Sequence, residues 1–530
     1  MRQQPDIIMP RSVDMPHAEC HTTANGVRIY TLKSDDFEVV RFSLVFRAGT
    51  SVQAKPFVAS STLNMLGEGS QNMSAQQIAD ELDFYGSYYD VNIDRDYTYV
   101  SFCSLSKFFA PTIGVANEII LRPTFPEREL AVYCQKRKQS LKIERKKMEV
   151  ASRELFAQAL FGANHPYGIS ASEERYDDIT RDDIVEHYRR LYTADNCFVV
   201  CSGRIDDEVM AAIEALVAAL PRGERPECSF PECETQYTLH AEREEALQAS
   251  IRIGRLLFTR NHPDFVGMQV VAAILGGYFG SRLMQNLREQ HGYTYGVSAA
   301  MINFEKEGYL AIATQVAREH RDDALGEIYA EIERLREELV DEEELQMVKN
   351  VMIGEVLRIL DGPFGIADVT IENIMCGADN SATEQCVETI ANITAEEIRD
   401  LARKYLERDK IVEVVIKDKA IVSTREILNL LYDILVHPDF DYNMMCKAAT
   451  SETKYLTKYI QCTTPMLMYE FDDISPLINA IRKHDLLRDR QADMDVDMTR
   501  FHSLENIYET FMGATSQTPY AKLNDTLREV

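Results

Sequence analysis

The same pair of secondary-structure patterns occurs twice in this chain. The helical pattern ITRDDIVEHYRRLY precedes the strand pattern CFVVCSG, and ITAEEIRDLARKYL precedes IVEVVIK. Thr180 stands at the N-cap position of the first helix, where its hydroxyl can accept a backbone N–H. A recurrence of helix and strand about 200 residues apart indicates an internal duplication. We therefore expect two similar domains, followed by a region that matches neither.

Alternation of residue types indicates how each domain is built. In EVVRFSLVFRAGT, Val40, Phe42, Leu44 and Phe46 occupy every second position, which is typical of a strand. Largely antiparallel strand patterns interleaved with helices predict the α+β class. Each domain should be a mostly antiparallel sheet with helices on one face. One long helical pattern covers 127–161, with an interruption expected near Ala151.

The region after the duplication is also expected to be folded. The apolar positions of REILNLLYDILVH recur at helical spacing, so a helical C-terminal extension is predicted. The full prediction is an N-terminal tail (1–21), a first domain (22–220), a linker (221–234), a second domain (235–418) and this extension (419–530).

Charge and cysteine usage exclude several classes of protein. The chain has 57 Lys and Arg against 85 Asp and Glu, a formal net charge of −28. Such an acidic surface repels phosphate backbones and anionic headgroups, so neither nucleic acid nor a membrane surface is an expected partner. The chain shows no signal-peptide pattern and no membrane-spanning apolar run. Its eleven Cys form no CxxC pair, and we expect a reduced, cytoplasmic protein.

Several strings in fixed order resemble the pitrilysin-like zinc peptidases, the family of insulin-degrading enzyme and mitochondrial processing peptidase. The strings are ANGVRIYTL, FRAGT, LFGANHPYG, DITRDDIVEHYRRLYTADN, ILGGYFGSRLMQNLREQHGYTYGVS and NITAEEIRDLARKYL. The resemblance covers residues 22–418. It implies that the two domains form half of a clamshell, whose other half is a second such chain.

The resemblance also implies a zinc site, and this chain lacks its residues. The family motif H-x-x-E-H supplies two zinc ligands and a general base from one helix face. Aligned to it, Ser60 and Asn64 replace the two His, and Leu63 replaces the Glu. The family spacing then places Leu141 at the third ligand. We predict that the chain binds no zinc of its own.

No other motif replaces that zinc site. HAECH, which runs from His17 to His21, precedes the first strand and is interpreted as a polar tail. His165, in LFGANHPYG, is interpreted as a packing residue. The basic run KRKQSLKIERKK at 136–147 is either a solvated helix face or a surface for an acidic partner or a peptide C-terminus.

Two substrate-binding positions of the family are retained. The resemblance implies that Arg288 and Tyr295, in LREQHGYTY, bind substrate carbonyl oxygens and help stabilise the tetrahedral intermediate. The alternative is that Arg288 pairs with a nearby Glu and Tyr295 is simply a strand aromatic.

These observations predict a catalytically silent accessory subunit that has no cofactor of its own. It would pair with a zinc-bearing homologue and help to enclose peptide substrates. A non-proteolytic scaffold or binding protein, possibly homodimeric, is the alternative. An independent metallopeptidase with a relocated site is a third and weaker interpretation.

Overall fold

A computed structural model describes residues 10–227, 229–243 and 248–418. The described residues within 10–241 and 248–417 form one compact unit. The predicted helical extension, 419–530, lies outside the described residues.

The described residues contain two sheets, one for each half of the duplication. The first has six strands in the order β1-β2-β6-β3-β5-β4, and the second has five in the order β7-β11-β8-β10-β9. Their bounds are β1 (Glu19–Thr22), β2 (Arg28–Lys33), β3 (Val39–Phe46), β4 (Tyr88–Ile93), β5 (Thr98–Leu105), β6 (Cys197–Gly203), β7 (Thr238–Arg243), β8 (Gln248–Leu257), β9 (Thr294–Asn303), β10 (Gly308–Ala317) and β11 (Val412–Asp418). Apart from β1, strands that correspond in chain order take the same place in each sheet, which confirms the duplication.

Strand direction agrees with the predicted α+β class. β3 is antiparallel to β5 and β6, and β8 is antiparallel to β10 and β11. β2 runs parallel to β6, which returns to the sheet after the intervening helices. The α+β prediction is therefore confirmed, with a parallel pair beside the antiparallel strands.

Helices follow the strands in both halves. They are α1 (Val58–Met65), α2 (Ala75–Tyr85), α3 (Phe109–Leu121), α4 (Glu127–Glu144), α5 (Met148–Phe161), α6 (Arg181–Leu191), α7 (Asp207–Ala218), α8 (Phe265–Ala272), α9 (Arg321–Glu337), α10 (Glu342–Ile359), α11 (Pro363–Met375), α12 (Ser381–Asn392) and α13 (Ala395–Tyr405). The repeated helices α6 and α13 both begin with a capping box, in which Thr180 and Thr394 accept the N–H of Asp183 and Glu397 at 3.2 Å. These caps satisfy backbone donors that would otherwise lack partners at the helix start.

Three local features differ from the sequence expectations. The long helical pattern breaks at 145–147 and not near Ala151, because Lys147 has extended backbone torsions (φ −71°, ψ 129°). The polar tail pattern contains β1, whose residues are all exposed and which pairs with the edge of β2. Two segments, Ala273–Gly277 and Met284–Gln290, have π-type hydrogen bonds, and the first is kinked at Gly276 (φ −161°, ψ 18°); π-type turns often mark functional sites.

Each sheet carries helices of its own half on one face and one helix from the other half on the opposite face. Ala367 and Ile371 of α11 pack on the first sheet with Val200, and Phe156 of α5 packs on the second. A Cβ at Gly254 would lie 2.8 Å from the Phe156 ring and 1.9 Å from a backbone oxygen. Only glycine leaves room for α5 at this position, so the two halves are joined by exchanged helices.

The HPYG motif anchors the junction between the halves. Tyr167 is fully buried and its hydroxyl donates to Asp96 at 2.7 Å, while Asp96 also accepts the N–H of Glu305 at 2.7 Å. Glu305 forms an ion pair with Arg47, which directly follows β3. His165 is 2% exposed and stacks on an aromatic ring, and burial lowers its pKa. The structure thus gives His165 the packing role that the sequence suggests.

Candidate functional site

Helix α1, which carries the first three positions of the lost zinc motif, begins with a strained residue. Phe57 has φ 68°, in the left-handed region that a bulky residue rarely occupies. Its ring stacks on Tyr176 with centroids 4.3 Å apart and planes 3° apart. Tyr176 is buried, so the start of α1 is fixed by aromatic packing.

The polar groups at the two former His positions are turned back on their own helix. Ser60 donates its hydroxyl to the carbonyl oxygen of Phe57 at 3.1 Å. Asn64 donates its amide to the carbonyl oxygen of Ser60 at 2.8 Å. Leu63 is 0% exposed and belongs to the core of the first half. The general-base position has therefore become part of the hydrophobic core.

Helix α4 fills the space beside α1 with an aromatic side chain. The Tyr133 hydroxyl donates to the carbonyl oxygen of Ser60 at 3.4 Å, and burial raises the pKa of Tyr133 to about 12. Leu141 lies about two turns further along the same helix and is half-buried. Neutral hydroxyls, an amide and leucines are poor zinc ligands. Across the described residues, no group of three or more His, Cys, Asp or Glu is arranged to hold a metal ion.

The structure places the retained pair, Arg288 and Tyr295, in different surroundings. The Arg288 guanidinium lies 4.4 Å from the Phe279 ring centroid, and its Nε is 3.6 Å from Oε1 of Glu289. Tyr295 is 91% exposed. Gly292 lies between them with φ 68°, which allows the π-helical segment to turn into β9. Arg288 is thus paired as the structural alternative expects, whereas Tyr295 projects into solvent.

Tyr295 lines a cavity at the junction of the two halves. The cavity has a volume of about 360 Å³ and lies between α5 and the second sheet. Its lining includes Glu149, Ser250, Arg252, Thr294 and Tyr295, and none of the four former zinc-site positions. Sequence reasoning missed Glu149 and Arg252 because neither belongs to a motif. In ASIRIGRLLF, the polar residues Ser250 and Arg252 alternate with apolar ones. This alternation is the sequence signal that could have indicated a polar strand face.

The outer strand of the first sheet offers a second polar surface next to α1. β4 is the last strand of that sheet among the described residues. The backbone N–H of Asp94, just after β4, donates to the carbonyl oxygen of Tyr97 and so points toward β5. Successive backbone N–H groups of a strand point to opposite sides, so those of Tyr89 and Val91 point away from β5. The Tyr89 ring packs against Gly67, which closely follows α1. A Cβ atom added to Gly67 would lie 3.1 Å from that ring. An open strand edge therefore runs beside the former zinc helix.

The basic run at 136–147 is partly neutralised within the chain. Lys138 forms an ion pair with Asp177, and Arg145 forms ion pairs with Glu154 at 3.1 Å and Glu173 at 3.5 Å. These contacts tie α4 and the start of α5 to the segment after the HPYG motif. The solvated-face interpretation accounts for these residues without a partner.

Comparisons with known proteins agree with this geometry. A family model described as "Peptidase M16 inactive domain" matches residues 178–352. The "Uncharacterized zinc protease YmxG" of Bacillus subtilis is 22% identical over 400 residues, which cover 74% of this chain and 97% of that protein. The chain is thus similar to members of the M16, or pitrilysin-like, peptidase family.

Other M16 comparisons concern catalysis and fold. The "Non-peptidase homolog YmxG" of Helicobacter pylori is 21% identical, over 71% of this chain and 88% of that protein. The solved M16 inactive domain of Pseudomonas fluorescens shares the fold, with a TM-score of 0.70 and 24% identity. The match covers 76% of this chain and 98% of the Pseudomonas chain. The solved structure shows that the described residues share the fold of that domain. No helix in its described part is long and apolar enough to cross a membrane.

Proposed function

We propose that this chain is the accessory substrate-binding subunit of a heteromeric zinc endopeptidase that hydrolyses peptides. A zinc-bearing M16 homologue would supply metal, water and general base. This chain would supply binding surface and the Tyr295 hydroxyl. The observation that carries the proposal is the exposure of Tyr295, because a large aromatic side chain that is 91% exposed contributes little to the core.

Hydrogen bonds of the Thr294 side chain hold the backbone on either side of Tyr295. The Thr294 hydroxyl donates to the carbonyl oxygen of Gln315 at 2.7 Å and accepts the N–H of Gly296 at 3.1 Å. The register of β9 against β10 shifts between Thr314 and Val316, and such irregularities often re-aim a side chain next to a functional site. These contacts fix the backbone that carries Tyr295, and the partner subunit would have to position its exposed hydroxyl, since stabilisation of an oxyanion requires a preorganised donor.

The open edge of β4 supports the peptide-binding part of the proposal. Extended peptides add to exposed sheet edges through main-chain hydrogen bonds. Here Tyr89 and Val91 offer outward backbone groups, while the N–H of Ile93 is already satisfied by Asn92 Oδ1 at 2.8 Å. A peptide strand added along β4 would run past α1, where a catalytic homologue carries its zinc ligands.

The non-proteolytic scaffold, possibly homodimeric, is the second candidate function. The contacts of Arg288 with Glu289 and Phe279 favour it, since an arginine already engaged on the surface has less freedom to bind substrate. Under this alternative, Tyr295 would have no role in turnover.

The two candidates differ in what the chain does to a catalytic partner. The partner to test is an H-x-x-E-H homologue, which is sought first among the products of neighbouring genes. Peptide hydrolysis is measured for the partner alone, for this chain alone and for the mixture. We expect substantial turnover only in the mixture, together with a stable complex in sedimentation. A complex without increased turnover would favour the scaffold.

Three further expectations belong to the same proposal. The complex is cytoplasmic, its zinc resides in the partner alone, and the domain boundaries are those predicted from the sequence. Metal analysis of the separated subunits checks the second of these.

A further inference from the structure

The cavity next to Tyr295 contains a buried arginine with a weak counter-ion. The Arg252 side chain is only 12% exposed, and its NH2 lies 4.0 Å from Oε1 of Glu149, a side chain that is 57% exposed. Its Nε donates to the Ser152 hydroxyl at 3.2 Å. A buried charge requires close, well-oriented partners to offset the loss of hydration. One distant and solvated carboxylate falls short of this.

Two further arginines, neither of which lines the cavity, act electrostatically on the region around Arg252. Burial lowers the pKa of Arg252, and the neighbouring Arg153 of α5 lowers it further. Burial also lowers the pKa of Arg95, in the turn between β4 and β5, and Arg153 contributes there as well. All three arginines act electrostatically on Tyr309 of β10. Asp96 and Glu154 act in the opposite sense on Arg95, and Glu149 does so on Arg252. Arg252 is thus left with one carboxylate at 4.0 Å as its counter-ion in the cavity, and an anion placed there would stabilise its charge.

The rest of the cavity fits a peptide end. Neutral side chains line most of its wall: the Ser250 hydroxyl pairs with Ser152 at 2.8 Å, and Thr314 donates to Thr294 at 3.0 Å. Ser298 is exposed on the same wall, and its hydroxyl can both donate to and accept from a main-chain amide. Arginine binds carboxylate with two parallel hydrogen bonds. Glu149 at the same wall adds a negative charge, which a singly charged carboxylate tolerates better than a dianionic phosphate does.

We propose that this cavity binds the C-terminal carboxylate of a peptide, with Arg252 as its anchor and Tyr295 at its rim. The inference rests on the proposed function and adds a substrate class to it, namely peptides or cleavage products with a free C-terminus. Arg252 is a binding residue here, and Arg153 strengthens the local potential from the surface.

The experiment uses the full chain without a partner. A fluorescein-labelled pool of random octapeptides is prepared with a free C-terminus and with an amidated C-terminus, and binding is followed by anisotropy. Charge-assisted hydrogen bonds contribute about 1.5–3 kcal/mol, so the free acid should bind roughly 10-fold or more tightly than the amide. Arg252→Gln should bring the two affinities together. Arg255→Gln is the matched control, because Arg255 is on the same strand but donates to the Tyr405 carbonyl oxygen at 2.8 Å.

Two surface variants cover the case in which Arg252→Gln fails to fold. Arg153→Gln should weaken binding of the acid form only, and Glu149→Gln should strengthen it. A residue with a purely structural role would not give opposite effects that are confined to the acid form. Displacement of the acid peptide by inorganic phosphate, but not by acetate, would overturn the assignment.

The outcomes separate this inference from the proposed function. Equal binding of acid and amide forms by the unmodified chain overturns the carboxylate site and leaves peptide binding intact. Binding of neither form overturns both. Turnover of the complex that depends on Tyr295 while acid and amide bind equally would overturn this inference alone.

Discussion

Restoring the catalytic glutamate at position 63 should destabilise this protein and leave it without activity. Leu63 is 0% exposed within the core of the first half. Leu63→Glu loses about 1.5–3 kcal/mol of apolar burial. It also places an uncompensated carboxylate in the core, at a cost of about 3–5 kcal/mol. The sum, about 5–8 kcal/mol, is comparable with the whole stability of a domain.

The pH dependence of that loss identifies its cause. Burial raises the pKa of a carboxyl group above its unfolded value of about 4.3. The folded state then binds more protons than the unfolded state, so stability falls as pH rises, by up to about 1.4 kcal/mol per pH unit. The loss should therefore be smallest below about pH 4 and largest at neutral pH. Leu63→Gln has a similar shape without the charge and should show no such slope.

Urea unfolding followed by far-ultraviolet circular dichroism measures this effect, since the chain contains no Trp. Leu63→Ala, expected to cost about 2–5 kcal/mol at every pH, is a second control. The fourfold variant Ser60→His, Leu63→Glu, Asn64→His, Leu141→Glu should also fail to bind zinc. Wild-type stability of Leu63→Glu with no pH slope, or one tightly bound zinc with peptide turnover in the fourfold variant, would refute the reasoning.

Three further predictions follow from the same structure. Burial lowers the pKa of His187 to about 4, whereas the pKa of an unfolded His is about 6.5. Between these two pH values the unfolded state therefore carries one more proton on His187 than the folded state does. Stability should rise across that window by about 3 kcal/mol, and urea titrations of His187→Gln should lack this rise. Tyr167→Phe removes the buried hydrogen bond to Asp96 and should lower the free energy of unfolding by about 1–3 kcal/mol, whereas Tyr237→Phe, at a tyrosine that is 51% exposed, should not. The isolated chain, dialysed and analysed for metal, should contain no stoichiometric zinc and should cleave no quenched fluorescent peptide; chelator-sensitive turnover would contradict this.

Local signals in the sequence made the repeated elements predictable. α6 and α13 begin at Thr180 and Thr394, each with an acidic residue three positions later, and each is followed by an apolar strand. Because capping and alternation act within a few residues, they can be recognised without tertiary information. The degenerate positions Ser60, Leu63, Asn64 and Leu141 have a different origin, because they follow from the resemblance to the family motif and its spacing.

Tertiary relationships could not be predicted from those signals. The burial of Leu63 and the crossing of α5 and α11 onto the opposite sheets depend on contacts between distant segments. Glu149 and Arg252 meet only because α5 lies on β8. The two π-helical segments differ from an α-helix in hydrogen-bond register, which side-chain periodicity does not specify over so few residues.

The central claim is that this chain contributes substrate-binding groups to a partner's active site. Its most direct test is the kcat of the complex formed with wild-type chain, with Tyr295→Phe and with Arg288→Ala, each at equal complex formation. Removal of one oxyanion donor typically lowers kcat by about 10²- to 10³-fold, so we predict a loss of this size for Tyr295→Phe and no loss for the control Tyr237→Phe. Arg288→Ala should also lower kcat, which requires that the Arg288 guanidinium exchange its contact with Glu289 for one with the substrate in the complex. Unchanged turnover with both Tyr295→Phe and Arg288→Ala would contradict the claim and leave scaffolding as the function.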